Sequence, residues 1–331
     1  VGAGRPGLPA RAIGRKGTGP QKRQRAARRQ KVREGLIVCM LCFLRPRPDG
    51  GIETASVRFT VVMEVHLVME SSLERVIADS LECDGTLLPF MPELLGDLHS
   101  LGSDPDTIAE MLEPHISPGS RVLDLACGKG AVSVVLATRL GCRVLGIDGM
   151  PAFIDAAKQR AAEQGVGHLC DFHCGDIRTF RPDVRLYDAV IYGAAGPALG
   201  EMRACMTALR GWVRDGGFVV IDDAFRRPDY LSSTVADSVR DLPTREEFLR
   251  TFKAYGDKLI GEREFSPEKL TTMNRMNNRA IACRTARLAE RHPHRAALFC
   301  SYMSRQYFEC YVLEQCCQCV TWLIQVQKKP A

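Results

Sequence analysis

The stretch VLDLACGKG, Val122 to Gly130, decides how this chain is read. A run of apolar residues carries an acid, Asp124, and after three intervening residues the chain turns through two glycines, Gly128 and Gly130, flanking Lys129. Glycines at such a turn let the backbone approach a ligand closely and bend into a helix whose amino end has free N–H groups. A dinucleotide site would read G-x-G-x-x-G, but GKGAVS puts Ser133 where the third glycine belongs. A phosphate-binding loop of the form G-x-x-x-x-G-K-[ST] is absent. The sign of Asp124 remains: a carboxylate at a strand end opposes a pyrophosphate and attracts a cation.

Outward from this turn, short Val- and Ile-rich runs alternate with helical segments. The runs are RVLDLA, RVLGID, LCDFHCGD, YDAVIYG and GFVVIDDA. Between them lie PAFIDAAKQRAAEQG, opened by Pro151 and closed before Gly165, and ALGEMRACMTALRGWVRDGG. In the latter, Leu199, Met202, Met206, Leu209 and Val213 step by three and four, a stripe that predicts a helix packed on a sheet. Such alternation predicts an α/β fold with a doubly wound, mostly parallel sheet. Upstream, SSLERVIADSLEC places Leu73, Val76, Ile77 and Leu81 at helical spacing, and Asp104 with Pro105 starts a helix over DTIAEML. Downstream, TREEFLRTFKAY predicts a helix, DKLIGEREF a strand, and Ser266 to Cys319 a mostly helical block before the strand-like TWLIQVQ. The expected division is an extension over 1–62, a core with N-terminal helices over 63–265, an inserted helical cap over 266–319, and a last strand and tail over 320–331.

Ligands of parallel sheets lie beyond the carboxyl ends of the strands, where strand order reverses, so residues ending successive strands face one crevice. Asp148 closes the second strand eighteen residues after Gly130, where it can accept from both hydroxyls of a ribose. Asp176 closes the third and can accept from an adenine amino group, with Ile177 beside the ring. S-adenosylmethionine carries an ammonium and a sulfonium and no phosphate, and it fits three acids at three successive strand ends.

From about Arg121 to Asp223 the chain resembles the class I S-adenosylmethionine-dependent methyltransferases. VLDLACGKG is similar to their glycine motif, GIDGMPAFIDAAKQRA to their ribose motif and CGDI to their adenine motif, while YDAVIYGAAG and WVRDGGFVVIDD resemble their fourth and fifth strands. From about Met69 to the end the chain is similar to members that act on small molecules. The resemblance implies a Rossmann-like, seven-stranded sheet with an antiparallel last strand, TWLIQVQ pairing with DKLIGEREF. It also implies S-adenosylmethionine as cofactor, held by Asp124, Ala126, Cys127, Gly128, Gly130, Asp148, Gly149, Met150, Asp176, Ile177, Tyr192 and Gly193. Ala126 stands where many members have glycine, which a negative φ would accommodate.

Methyl transfer from a sulfonium is an in-line displacement, so the protein mainly aligns the reactants and excludes water. Tyr192 and Gly193 are expected to line the sulfonium side. Asp222 and Asp223, ending the fifth strand, are expected to orient or deprotonate an acceptor. A metal is not expected, because Tyr192 stands where a further oxygen ligand would be wanted. The fourth strand ends in YGAAGP rather than (D/N)PP(Y/F), which argues against a base or amide acceptor and favours oxygen, carbon or sulfur of a small molecule. In FCSYMSRQYFECYVLEQ, Tyr302, Gln306 and Glu309 share one helix face, either an acceptor-binding face or a solvated one. Two alternatives stay open, an NAD-dependent oxidoreductase and a non-catalytic cofactor-binding module.

Charge is unevenly spread. Residues 1–34 hold eleven Lys or Arg and one acid, net +10, which leaves −4 of the chain's +6 on the remainder. A mildly acidic body gives no basic surface for nucleic acid. The 10-residue apolar run Gly35 to Leu44 is too short to span a bilayer, so no membrane partner is expected. Fourteen cysteines scattered through a large chain point to a reducing cytoplasm rather than a disulfide framework. The Arg-, Gly- and Pro-rich residues 1–62 read as a disordered upstream extension, with a nucleic-acid or membrane arm and a targeting peptide as the competing readings. Self-association through the helical block is the alternative to its role as a cap.

Overall fold

The computed structural model describes residues 72–181, 186–227 and 242–328; the expected extension over 1–62 lies outside them. Helix α1 (Leu73–Ser80) begins at Ser72, whose hydroxyl accepts from the Arg75 amide. A 3-10 turn leads to the single-turn α2 (Met91–Leu94), and α3 (Pro105–Leu112) starts at the Asp104–Pro105 pair. The alternation follows as β1 (Arg121–Leu125), α4 (Ala131–Leu140), β2 (Arg143–Asp148), α5 (Pro151–Glu163), β3 (Cys170–Cys174), β4 (Tyr187–Gly193), α6 (Met202–Trp212) and β5 (Val213–Arg226). Then come α7 (Arg245–Ala254), β6 (Lys258–Glu264), α8 (Pro267–Arg291), α9 (Ala296–Cys316) and β7 (Cys317–Gln325).

These strands form one seven-stranded mixed sheet of order β3-β2-β1-β4-β5-β7-β6. The β1–β2, β2–β3, β1–β4 and β4–β5 pairs are parallel, and β7 runs antiparallel to both β5 and β6. The expected partnership of TWLIQVQ with DKLIGEREF is present, Ile324 lying opposite Leu259. Strand order reverses between β1 and β4, and that break sets where a ligand crevice opens.

Side chains alternate across each strand and so divide the core in two. Val122, Ile191, Val220 and Leu323 pack under α3, α4 and α5, with Leu112, Leu136 and Ile154. Leu123, Val190, Ile221 and Trp322 pack on the other face under α6 and α7, with Met206, Leu209, Phe248 and Phe252. A third cluster joins α1 and α2 to the α8–α9 pair and the start of α5, through Met91, Leu94, Ile281, Leu288, Phe299 and Phe153.

Two boundaries differ from expectation. Helix α6 ends at Trp212, because Val213 pairs with Tyr187 and already belongs to β5; Leu199 lies in a 3-10 turn ahead of the helix. The helical block likewise ends at Cys316, and Cys317 and Cys319 pair along β5 in place of continuing the helix. Among the described residues no helix is long and apolar enough to cross a membrane.

Trp322 is fully buried, its ring 4.5 Å from Phe248, 6.0 Å from Phe252 and 6.1 Å from Phe225. Trp322→Ala is expected to cost about 3–5 kcal/mol of unfolding free energy in urea titration. A loss under about 1 kcal/mol would deny it that place in the core.

Candidate active site

The turn after β1 is wound through left-handed conformations, with φ +55° at Ala126, +52° at Gly128 and +71° at Gly130. The negative φ expected at Ala126 is therefore not what the fold uses, and a side chain in this region carries about 1–2 kcal/mol of strain. Gly130 has no alternative, since a Cβ there would lie 2.8 Å from the Ala157 Cβ and 3.1 Å from the Phe172 ring. Helix α5 and strand β3 thus press directly on the turn.

The acids at the ends of β1 and β2 hold this turn together. Asp148 accepts from the Gly128 amide at 2.9 Å with Oδ2 and from the Met150 amide at 2.8 Å with Oδ1. Asp124 Oδ2 accepts from the Ser133 hydroxyl at 2.6 Å, so the residue that breaks the dinucleotide pattern is the partner of the acid. Burial pushes the Asp124 carboxyl up to about 7 against that hydrogen bond, and the Asp148 carboxylate adds to the rise. Burial also raises Asp148, opposed by its two amide bonds. Cys127, between them in the chain, has its thiol pushed upward by burial and by both acids. Lys129 offers the crevice no positive charge: its Nζ donates to the carbonyls of Leu95 (2.7 Å), Gly96 (3.2 Å) and Leu98.

The third expected acid is held apart. Asp176 is clasped by Arg178, with Nε 3.0 Å from each carboxylate oxygen and Nη2 2.7 Å from Oδ2, and this holds its carboxyl below the usual range. Ile177 beside it is buried on the α6 face. At the end of β2, Gly149 lies under α1, where a Cβ would come 2.6 Å from Ile77 Cδ1, and Met150 is buried in the cluster of α1, α2, α8 and α9.

The ends of β4 and β5 send neighbouring residues to opposite faces. Tyr192 turns into the α6 face; its hydroxyl donates to the Gly196 carbonyl at 2.9 Å and accepts from the Leu199 amide at 3.2 Å, which fastens the loop after β4. Gly193 and Asp222 turn to the other face and meet the Ser103 side chain, Asp222 Cβ lying 3.6 Å from where a Gly193 Cβ would stand. Burial pushes the Asp222 carboxyl up to about 7, although the Asp104 amide and the Ser103 hydroxyl bond to it. Its Oδ2 is buried without a hydrogen-bond partner. Asp223 faces the opposite way, accepts from the Ala224 amide at 2.7 Å, and is raised by burial to about 6. The two acids do not converge, and among the described residues no group of three or more His, Cys, Asp or Glu is arranged for a metal ion.

On α9, Tyr302 is core, while Gln306 and Glu309 are half-buried. Glu309 faces Glu82, whose carboxyl is pushed to about 8, first by burial and then by Glu309, with Arg305 easing it. Ser103, Glu82 and the anchoring of Lys129 were not legible beforehand. In SDPD the cap signal of Asp104 masked Ser103, and only the fold brings residue 103 to residue 193.

Residues 122–217 match the family model described as a methyltransferase domain. That segment is a methyltransferase domain. The chain is 43% identical over 68 residues to a 23S rRNA (uracil(1939)-C(5))-methyltransferase of Shewanella sp. strain ANA-3, covering 20% of this chain and 14% of that protein. It is 34% identical over 120 residues to a protein-L-isoaspartate O-methyltransferase of Methylorubrum populi, 36% of this chain and 52% of that protein. It is 25% identical over 182 residues to phosphoethanolamine N-methyltransferase 1 of Zea mays, 55% of this chain and 35% of that protein. The chain thus spans from about one seventh to about half the length of these relatives.

Among solved structures, an S-adenosylmethionine-dependent methyltransferase from Thiobacillus denitrificans in complex with S-adenosyl-L-homocysteine superposes with a TM-score of 0.62 at 20% identity, over 72% of this chain and 98% of that one. The YJHP protein of E. coli does so at 0.63 and 20%, over 73% and 100%. The 4+2 cyclase SpnF does so at 0.59 and 15%, over 77% and 96%. These likenesses establish that the methyltransferase domain shares their fold.

Two consequences follow from the geometry. Ala126→Gly is expected to stabilise the protein by about 1 kcal/mol in urea titration, by relieving left-handed strain; a destabilised variant would refute the strain. Burial pushes the Asp222 carboxyl up to about 7, above the ordinary aspartate value of about 3.9, so between those values the folded chain binds the extra proton and stability falls as pH rises. Asp222→Asn removes this pH dependence. Its thermal midpoint is expected to gain on that of the parent between about pH 5 and pH 8, and equal offsets at both would exclude a raised Asp222.

Proposed function

We propose that this chain transfers a methyl group from S-adenosylmethionine to a small organic acceptor. The carrying observation is the buried Asp124–Asp148 pair at the glycine turn, with the lysine of that turn committed elsewhere. Such a crevice favours a cation over a pyrophosphate, and this weighs against the NAD-dependent alternative. The residues fit the group: Asp148 keeps one lone pair on each oxygen for a ribose diol, and the glycines leave room for close backbone approach. Asp176 can take an adenine amino group if Arg178 yields part of its hold. When bound, S-adenosylmethionine supplies the activated methyl group.

Asp222 is the acceptor-side group in this reading. Its orphaned Oδ2 lies on the face shared with Gly193 and Ser103, and a carboxyl titrating near 7 can accept the proton of an acceptor hydroxyl or thiol near neutral pH. Tyr192 positions the loop after β4 rather than touching the acceptor, and Asp223 stays on the far face. Helices α8 and α9, with α1 and α2, act as the cap, with Tyr302 packed in its core and the half-buried Gln306 and Glu309 as its candidates for contact with an acceptor. An acceptor end so enclosed suits a small molecule better than the RNA or protein acceptors named in two of the relatives. The twelve described cysteines are free, in keeping with a reducing cytoplasm.

Incubation with methyl-labelled S-adenosylmethionine and a metabolite extract is expected to label a small hydroxyl, thiol or carbon acceptor. Asp222→Asn should lower the rate about 10²- to 10⁴-fold with S-adenosylhomocysteine binding retained. Asp148→Ala should weaken that binding by about 1–3 kcal/mol. Tight binding of NADH without S-adenosylhomocysteine binding would overturn the reading, and binding without labelling would favour a non-catalytic module.

A further inference from the structure

One buried cation has no part in the site as described. Lys129 is 8% exposed and flanked by glycines in left-handed conformations, and its ammonium reaches three carbonyls just beyond the end of α2. An ammonium has three protons to donate and no acceptor capacity, so Leu95, Gly96 and Leu98 take all of it. Carbonyls past a helix end have no partner within the helix, and Lys129 supplies one.

From there, residues 95–104 run as a strap over the strand ends. Leu101 Cδ1 lies 3.1 Å from where a Gly128 Cβ would stand, and Gly102, at φ +111°, passes Ala194 so closely that a Cβ would be 2.5 Å from the alanine's own. Ser103 then reaches Gly193 and Asp222. On its outer side this region is gripped by α8: Arg284 Nε lies 2.7 Å from Asp97 Oδ2, Arg291 pairs with Glu93, and Lys269 with Asp104. Those pairs are partly exposed, and such pairs contribute little singly. The lysine is different, since its loss leaves the carbonyl of the buried Leu98 without a donor and the buried Leu95 carbonyl with the Leu98 amide alone.

We propose that Lys129 is a positioning residue that couples the glycine turn to the strap, so that ordering of the turn by its cofactor also sets Ser103 against Asp222 at the acceptor end. The coupling rests on the reading of the turn as a cofactor site. Geometry supports it from both ends of the strap: a single buried side chain of the turn fixes residues 95–98, and only four residues lie between Leu98 and Ser103. Cofactor binding and completion of the acceptor site are then one event, and the acceptor end is complete only when the turn is ordered.

Hydrogen exchange on the full chain tests this, with and without S-adenosylhomocysteine, in the parent, Lys129→Met and Lys129→Arg. Lys129→Met is expected to speed exchange across residues 95–104 at least tenfold, with β1 and β4 as protected as in the parent. Lys129→Arg, which keeps a buried cationic donor, should restore most of the protection. S-adenosylhomocysteine should slow exchange of residues 95–104 in the parent and not in Lys129→Met. Equal exchange of the segment in parent and Lys129→Met overturns the proposal. So does loosening of β1 and β4 together with the segment, which would make the lysine a general structural element. Failure of the parent to bind S-adenosylhomocysteine would overturn the cofactor reading instead, and the unliganded comparison would still decide whether Lys129 holds the strap.

Discussion

Two hydrogen bonds from backbone amides to the Asp148 carboxylate hold the rest of the site in place. One comes from Gly128 in the turn after β1 and the other from Met150 at the start of α5, so a single side chain fixes the end of β2 against both. The carboxylate is buried and electrostatically close to Asp124, and both acids are raised by burial. Placing two ionised acids this near one another in a water-poor setting is unfavourable unless a proton or a positive ligand offsets the charge.

The period of two in the flanking strands divides labour among residues that are adjacent in the chain. Gly193 and Asp222 face the N-terminal strap, while Tyr192 and Asp223 face α6. Tyr192 therefore spends its hydroxyl on the loop it anchors, and Asp222 alone of the acid pair meets Ser103. The helical additions complete the same arrangement from above. Helices α8 and α9 bury their apolar sides against α1 and α2, and the half-buried Glu309 meets Glu82 there. Those four helices share one apolar cluster, and Lys129 ties the chain just past α2 to the turn.

Much of the sheet was legible residue by residue. RVLDLA, RVLGID and YDAVIYG became β1, β2 and β4 because short β-branched runs bounded by small or acidic residues leave little else to form. Pro151 opened α5, and Gly165 follows its end. The helix over ALGEMRACMTALRGWVRDGG was shorter than its stripe, because Val213 satisfies a helical spacing and a strand pairing equally well and tertiary pairing with Tyr187 decided between them. Ala126 could not be assigned a φ from its identity, since alanine usually avoids the left-handed region and here the turn imposes it.

By itself the sequence determined the α/β class, the glycine turn, and the acids at the ends of its first two strands, because these follow from local periodicity and from charge at fixed offsets. The tertiary structure alone decided which of those groups meet. It joined Asp124 to Ser133, set Lys129 on the carbonyls of Leu95 and Leu98, and carried Ser103 across to the end of β4. The physical reason is that a side chain's charge and size are properties of the residue, whereas its partners are set by which face of a strand it occupies and by which distant segment is packed there.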